Sequence, residues 1–326
     1  MKNILKKILQ GIDKLYVDPH LLFFGDSPGI LCLCFHTVFN NNDEKQNKHT
    51  LPNLGLTIDE YLKIFNYFID HDYKFISFND FYKNLDPKEK YIHISFDDGY
   101  FNNTRILPIL EKYNIPCSIF VVINNILREQ KYWWDIIYNK RLLEGNSINN
   151  IYKEISVLQN MHYKKIDEYI INNFGSISLN PQSDIDRPLT TKELKELNKN
   201  DLITIGNHTF NHAMLNHLSE IEVEDQIIKA QNEIEFIIGE RPKSFAFPNN
   251  NYNQKNLKIL KKLEIDFGFS GDFRHNKIPS GLSGEKKIRL GRYGILENRD
   301  MNWQFKMLRA GITPFIFAKE LKRKLL

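Results

Sequence analysis

The chain has 326 residues, 42% hydrophobic and 26% charged, which is the balance of a folded globular protein of one large domain or two ordinary ones and excludes disorder, collagen-like repeats and a disulfide miniprotein. Its 44 basic and 40 acidic side chains leave a formal net charge of +4, too even for a nucleic-acid coat held by counterion release. A small-molecule or glycan partner is what this charge leaves open.

Residues 1–10 are basic and amphipathic, with no uninterrupted apolar core and no small-residue cleavage site, so no secretory signal is read there. The apolar stretch 21–39 is broken by Asp26, Pro28, two glycines and His36, and cannot span a membrane. Strand-length apolar runs fall at 30–35, 75–78, 91–96, 118–123, 202–205, 245–247, 267–269 and 288–290. Helical patterns lie between them at 57–70, 102–113, 190–199, 220–238 and 254–262. Thr57 with Glu60, and Thr190 with Glu193, have capping-box spacing. Such alternation predicts an α/β fold with a parallel sheet, and the number of repeats favours a distorted (β/α) barrel. From about 124 to 187 the alternation stops, and that stretch is expected to be a helical insertion on one face. The whole is expected to be a single domain with its barrel core at about 30–295 and basic amphipathic helices at both ends. Residues 315–326 mix Ile, Phe and Leu with Lys319, Lys322, Arg323 and Lys324, the pattern of a surface helix or of peripheral contact with an anionic membrane. The expected location is cytoplasmic, with such contact at the inner membrane face.

Cys32 and Cys34 alternate onto one strand face and Cys117 stands alone, so the thiols read as buried small groups rather than a zinc ribbon or a disulfide frame. The densest chemical signal is 91–100, an alternating strand that ends in Asp97, Asp98 and Gly99. Catalytic groups of a barrel gather at the carboxyl ends of its strands, and glycine permits a sharp turn there. The second signal is His208-Thr-Phe-Asn-His212 after an apolar strand. Read as helical, that spacing puts two imidazoles on one face. Two imidazoles and one carboxylate suit a catalytic divalent metal with an open position for water, and the second carboxylate can then serve as base.

Ser-Phe-Asp97-Asp98-Gly99 and His208-Thr-Phe-Asn-His212 resemble the first two motifs of the NodB-type polysaccharide deacetylases, carbohydrate esterase family 4. Phe245-Ala-Phe-Pro248-Asn249-Asn250 resembles the third. Cys34-Phe-His36-Thr-Val38 is similar to the Tyr-His-x-Val element of the subgroup acting on surface and biofilm polysaccharides, where Tyr132-Trp-Trp134-Asp135 and Leu290-Gly-Arg292 also occur in kind. The resemblance implies a distorted barrel, Asp97 as general base, and Asp98, His208 and His212 as metal ligands. Zn²⁺ is the expected metal, with Co²⁺, Ni²⁺ or Mn²⁺ compatible with the same donors. It also implies an oxyanion donor from the amide of Asn249, after Pro248. The family's usual terminal Leu-x-His acid has no counterpart here, and His36 takes its place as the candidate acid. The third motif lacks the arginine that pairs with the catalytic aspartate in many members, and Arg292, after a predicted strand, is the candidate to replace it beside Asp97. Trp133 and Trp134 are candidate sugar platforms, Pro248 lies in the substrate loop, and Asp135 is a candidate acceptor of a sugar hydroxyl.

The activity expected is hydrolytic removal of acetyl from an N-acetylated amino sugar in a bacterial surface glycan or a lipid-linked precursor. Two alternatives are a catalytically impaired glycan-binding paralogue and a hydrolase of a small amide on the same barrel.

Overall fold

Each apolar run is too short for a stable helix and is followed by a segment that carries the chain back to the same sheet end, so the strands pair parallel. In the computed structural model, which describes residues 15–278, 284–296 and 300–311, ten strands follow in order. They are β1 (Gly29–Phe35), β2 (Thr37–Phe39), β3 (Gly55–Thr57), β4 (Lys74–Phe75), β5 (Lys90–Asp98), β6 (Cys117–Val121), β7 (Ile203–Asn207), β8 (Ser244–Ala246), β9 (Phe267–Ser270) and β10 (Leu290–Gly291). The main sheet runs β1-β5-β6-β7-β8-β9-β10, with β4 beside the start of β5, while β2 and β3 form a separate pair. Just beyond β10 the Tyr293 N–H donates to Cys32 O at 2.9 Å and Cys34 N–H donates to Tyr293 O at 2.8 Å, which brings the last strand back to the first. The result is a nearly closed parallel barrel.

Alternation decides what faces inward. On β1, Ile30 and Cys32 join Phe120, Ala246, Phe267 and Phe269 in the barrel interior, while Leu31, Leu33 and Phe35 pack against the surrounding helices. Ile92, Ile94 and Phe96 of β5 also face those helices. Tyr91, His93, Ser95 and Asp97 therefore point inward, with Asp97 at the carboxyl end.

The capping boxes at Thr57–Glu60 and Thr190–Glu193 open the helices Ile58–Ile69 and Thr191–Leu197, and the helices Glu220–Ile238 and Gln254–Lys262 match their periodic segments. Three expectations shift. The run at 75–78 contributes only Lys74–Phe75 to the sheet, because Ser77 and Asp80 cap a 3-10 turn at Phe78–Tyr82. The run at 288–290 begins as the 3-10 segment Gly284–Arg289, and only Leu290–Gly291 pairs. In the segment 102–113 the α-helix starts at Leu107, just before Pro108, after a 3-10 turn.

Between β6 and β7 lie the helices Ile123–Arg128, Trp133–Leu143, Ile148–Leu158 and Tyr163–Phe174. They bury Ile136, Ile137, Ile151, Ile155, Ile166 and Ile170 in a cluster that Leu51, Tyr100 and Met214 tie to the barrel mouth. The basic helices expected at 1–10 and 315–326 lie outside the described residues. Among the described residues no helix is long and apolar enough to cross a membrane.

Candidate active site

A cleft of about 270 Å³ opens at the carboxyl ends of the strands, with Cys34, Asp97, Asp98, His208, His212 and Arg292 among its lining residues. Asp97 reaches it by strand alternation and is buried. Arg292, also buried, leaves the chain just after β10, where its own N–H donates to Ser270 O at 2.9 Å. Its guanidinium grips Asp97 through Nη1 to Oδ1 and Nη2 to Oδ2, both 2.7 Å, and Nη1 also donates to Ser95 Oγ at 3.0 Å. Burial alone would raise the Asp97 pKa. The Arg292 charge and fork overcome that and hold the carboxyl well below its ordinary range.

Asp98 diverges from Asp97 because its backbone turns into the left-handed region at φ 74°, ahead of Gly99 at φ 84°. His208 and His212 are not one turn of helix, as their spacing suggested. They sit on a loop after β7 in which Thr209 (φ 67°) and His212 (φ 52°) adopt left-handed backbone, a conformation unfavourable for a β-branched threonine. Asn207 Oδ1 accepts from Thr209 N–H at 2.7 Å, and Thr209 Oγ1 accepts from Ala213 N–H at 2.9 Å, so side chains stabilise the bend. The loop swings both imidazoles over Asp98, leaving Nε2 of His208 at 3.5 Å and Nε2 of His212 at 3.4 Å from Asp98 Oδ1.

These three residues fit a divalent ion. His208 Nδ1 lies 2.8 Å from the carbonyl of Ala246, which fixes Nδ1–H as the donor and leaves the Nε2 lone pair facing Asp98. Asp98 Oδ1 is buried without a hydrogen bond, and one ligand atom from each residue falls within 4.8 Å of the others. Burial pushes the pKa of His208 down to about 4 and that of His212 well below normal, so both imidazoles are neutral donors. Burial first, then Asp97 and Asp135, push the Asp98 carboxyl well above the carboxylate range, a penalty that a cation would remove.

His36 lies in the cleft wall next to Asp97, within the 4.8 Å cluster formed with Cys34. Enclosure lowers its pKa below 6.5 against the pull of Asp97. Asn249 is exposed at the rim with φ 49°, while Pro248 is buried behind the loop and does not line the cleft. Trp134 lines the cleft with its ring centroid 4.6 Å from that of His212, and its Nε1–H donates to Tyr100 OH at 2.9 Å. Trp133 packs edge-on to Trp134 and stays out of the cleft lining. Asp135 is placed differently from the sugar contact expected of it. It is fully buried, and its two oxygens accept from Leu51 N–H at 2.9 Å and Tyr100 OH at 2.6 Å, leaving it no face toward a substrate.

The family model described as polysaccharide deacetylase matches residues 84–268, more than half of the chain. This chain belongs to the polysaccharide deacetylase family. That family, the NodB or carbohydrate esterase family 4 type, is one of hydrolases. Similar solved structures include IcaB from Ammonifex degensii, 16% identical with a TM-score of 0.59 over 87% of this chain and 98% of that one. Another is the deacetylase PplD of Streptococcus pyogenes, solved with acetate, 18% identical with a TM-score of 0.56 over 86% and 98%. Both share the barrel fold. The protein YxkH of Bacillus subtilis (strain 168) is 21% identical over 205 residues, 63% of this chain. The chain spans about half, 53%, of that relative's length.

Sequence reasoning passed over three further residues of this deacetylase-family site. Cys34 was read as inert packing, yet its thiol donates to Asp97 Oδ2 at 3.4 Å, and its spacing of two from His36 at a strand end was the available signal. Tyr100 links Trp134 to Asp135. Gln159, beyond the helix Ile148–Leu158, lines the cleft and carries no motif.

Proposed function

We propose that the protein is a metal-dependent de-N-acetylase acting on an N-acetylated amino sugar of a bacterial surface polysaccharide or its precursor. The observation that carries this reading is the pairing of two unlike carboxylates at one strand end. Asp97 is clamped by Arg292, and Asp98 is faced by two neutral imidazoles.

Asp98, His208 and His212 hold the ion, most suitably Zn²⁺. When bound, the ion supplies Lewis acidity toward water and the acyl carbonyl. Asp97 accepts a proton at a carboxylate oxygen as water adds to the acetamide, and Arg292 keeps that carboxylate ionised and fixed in orientation. The Asn249 amide, on a loop bent by left-handed backbone at the rim, serves as the donor to the oxyanion. His36 rests neutral because its pKa is lowered, so the proton it gives to the leaving nitrogen is taken up during the reaction. Asp97, kept acidic by Arg292, is the neighbour that sheds one. Trp134 forms a flat apolar wall beside His212 for the sugar or its acetyl group.

The test is acetate release from N-acetylglucosamine oligosaccharides by the zinc-loaded protein and by Asp97→Asn. Loss of acetate release with metal retained is expected of the variant. Undiminished release would remove Asp97 as the base.

A further inference from the structure

The floor of the cleft is polar, but its sides come from four separate parts of the chain, and hydrogen bonds join them in series. Leu51, before β3, donates its N–H to Asp135 Oδ1 at 2.9 Å and so binds to the insertion. From the insertion, Gln159 Nε2 reaches across to Asn249 Oδ1 at 3.4 Å. Next to it, Asn250 Oδ1 accepts from Gly271 N–H at 2.8 Å, and Asn250 Nδ2 donates to Asp272 Oδ1 at 3.2 Å. Asn249 and Asn250 thus tie this loop to the insertion on one side and to the turn after β9 on the other. The volume of about 270 Å³ lies under the roughly 300–1,000 Å³ of pockets that enclose drug-sized ligands, which is room for one pyranose with its acetamido group.

We infer that the cleft is a well that takes a single N-acetylated sugar at the end of a saccharide chain, and that the Gln159–Asn249 contact closes the side through which an internal sugar would have to extend. This rests on the deacetylase reading and narrows its substrate class. A polymer bound at an internal sugar needs the cleft open on two opposite sides; Gln159 and Ile155 line it from the insertion, and Gln159 joins the insertion to the Asn249 loop. The occupant is a chain terminus or a single-sugar conjugate.

The zinc-loaded protein is incubated with β-1,4- and β-1,6-linked N-acetylglucosamine pentasaccharides, and tandem mass spectrometry locates the residue that loses acetyl. A terminal residue should react at least about ten-fold faster than internal ones, and Gln159→Ala should narrow that ratio. Internal residues reacting as fast as terminal ones in the wild type overturn the inference while leaving the deacetylase reading intact. No acetate release from any saccharide overturns that reading, and this inference with it. A separate readout is binding, followed by tryptophan fluorescence because Trp134 lines the cleft. N-acetylglucosamine and the pentasaccharides should bind within about three-fold of one another, whereas affinity that climbs with each added sugar contradicts a one-sugar well.

Discussion

Replacing Arg292 by methionine isolates the pair at the centre of the site. Asp97 and Arg292 have side chains only 5% and 3% exposed, and both Nη atoms lie 2.7 Å from the two carboxylate oxygens. Removing one partner of a buried pair leaves an uncompensated charge, which costs about 3–5 kcal/mol. That is a large part of the roughly 5–15 kcal/mol that keeps a domain folded. Asp97 can avoid part of the cost by taking up a proton, because the cation that held its pKa down is gone. It then no longer accepts one from water, so turnover should fall by about 10²–10⁴, the usual worth of a general base. Arg292→Lys keeps the charge but not the two-pronged grip, and should fall between. Guanidinium denaturation at pH 7 gives the stability change, and the Asp97→Asn/Arg292→Met double variant closes the cycle. The double variant should be more stable than Arg292→Met alone, since no bare carboxylate remains. A loss under about 1 kcal/mol in Arg292→Met, with acetate release unchanged, would refute the assignment of Arg292 as the residue that holds Asp97.

Other expectations follow from single contacts. His36→Ala should lower turnover far more than zinc affinity, measured by acetate release beside metal titration, because His36 faces Asp97 and not the ligand set. Asp135→Ala leaves the Leu51 amide and the Tyr100 hydroxyl without acceptors, and should cost about 1–3 kcal/mol in denaturation. Sugar binding, measured by fluorescence, should change only through displacement of Trp134. His93 is buried against Phe81 and Phe269, and burial lowers its pKa to about 4. Between about 6.5 and 4 the unfolded chain binds the proton that the folded chain refuses, so His93 makes stability fall as pH falls through that window, by at most about 3 kcal/mol. His93→Phe should make the pH dependence of the denaturation midpoint shallower between pH 4 and 6.5, with His208 still contributing in the same direction.

Much of the site was legible because it follows strand alternation. Inward parity on β5 and an Asp-Asp-Gly end place Asp97 at the mouth, and a strand ending near Arg292 carries that arginine to the same mouth. What could not be read depends on backbone bends and on contacts distant in sequence. Left-handed Thr209 and His212 turn an apparent helical pair into a loop pair. Asp135 beside two tryptophans suggested a sugar contact. At the first turn of its helix, however, it points inward to Tyr100 and to Leu51, 84 residues earlier. Gln159 meets Asn249 across 90 residues, which no local pattern announces. The shortened strands at 74–75 and 290–291 were missed because apolar runs show burial and not which amides find partners.

The most direct test of the account is to titrate chelator-treated protein with Zn²⁺ while recording bound metal and acetate release from N-acetylglucosamine oligosaccharides, beside His208→Ala and Asp98→Ala. The account predicts that activity rises with metal up to about one ion per chain and that both variants lose metal and activity together. Acetate release that survives chelation, or metal binding undiminished in both variants, would contradict it.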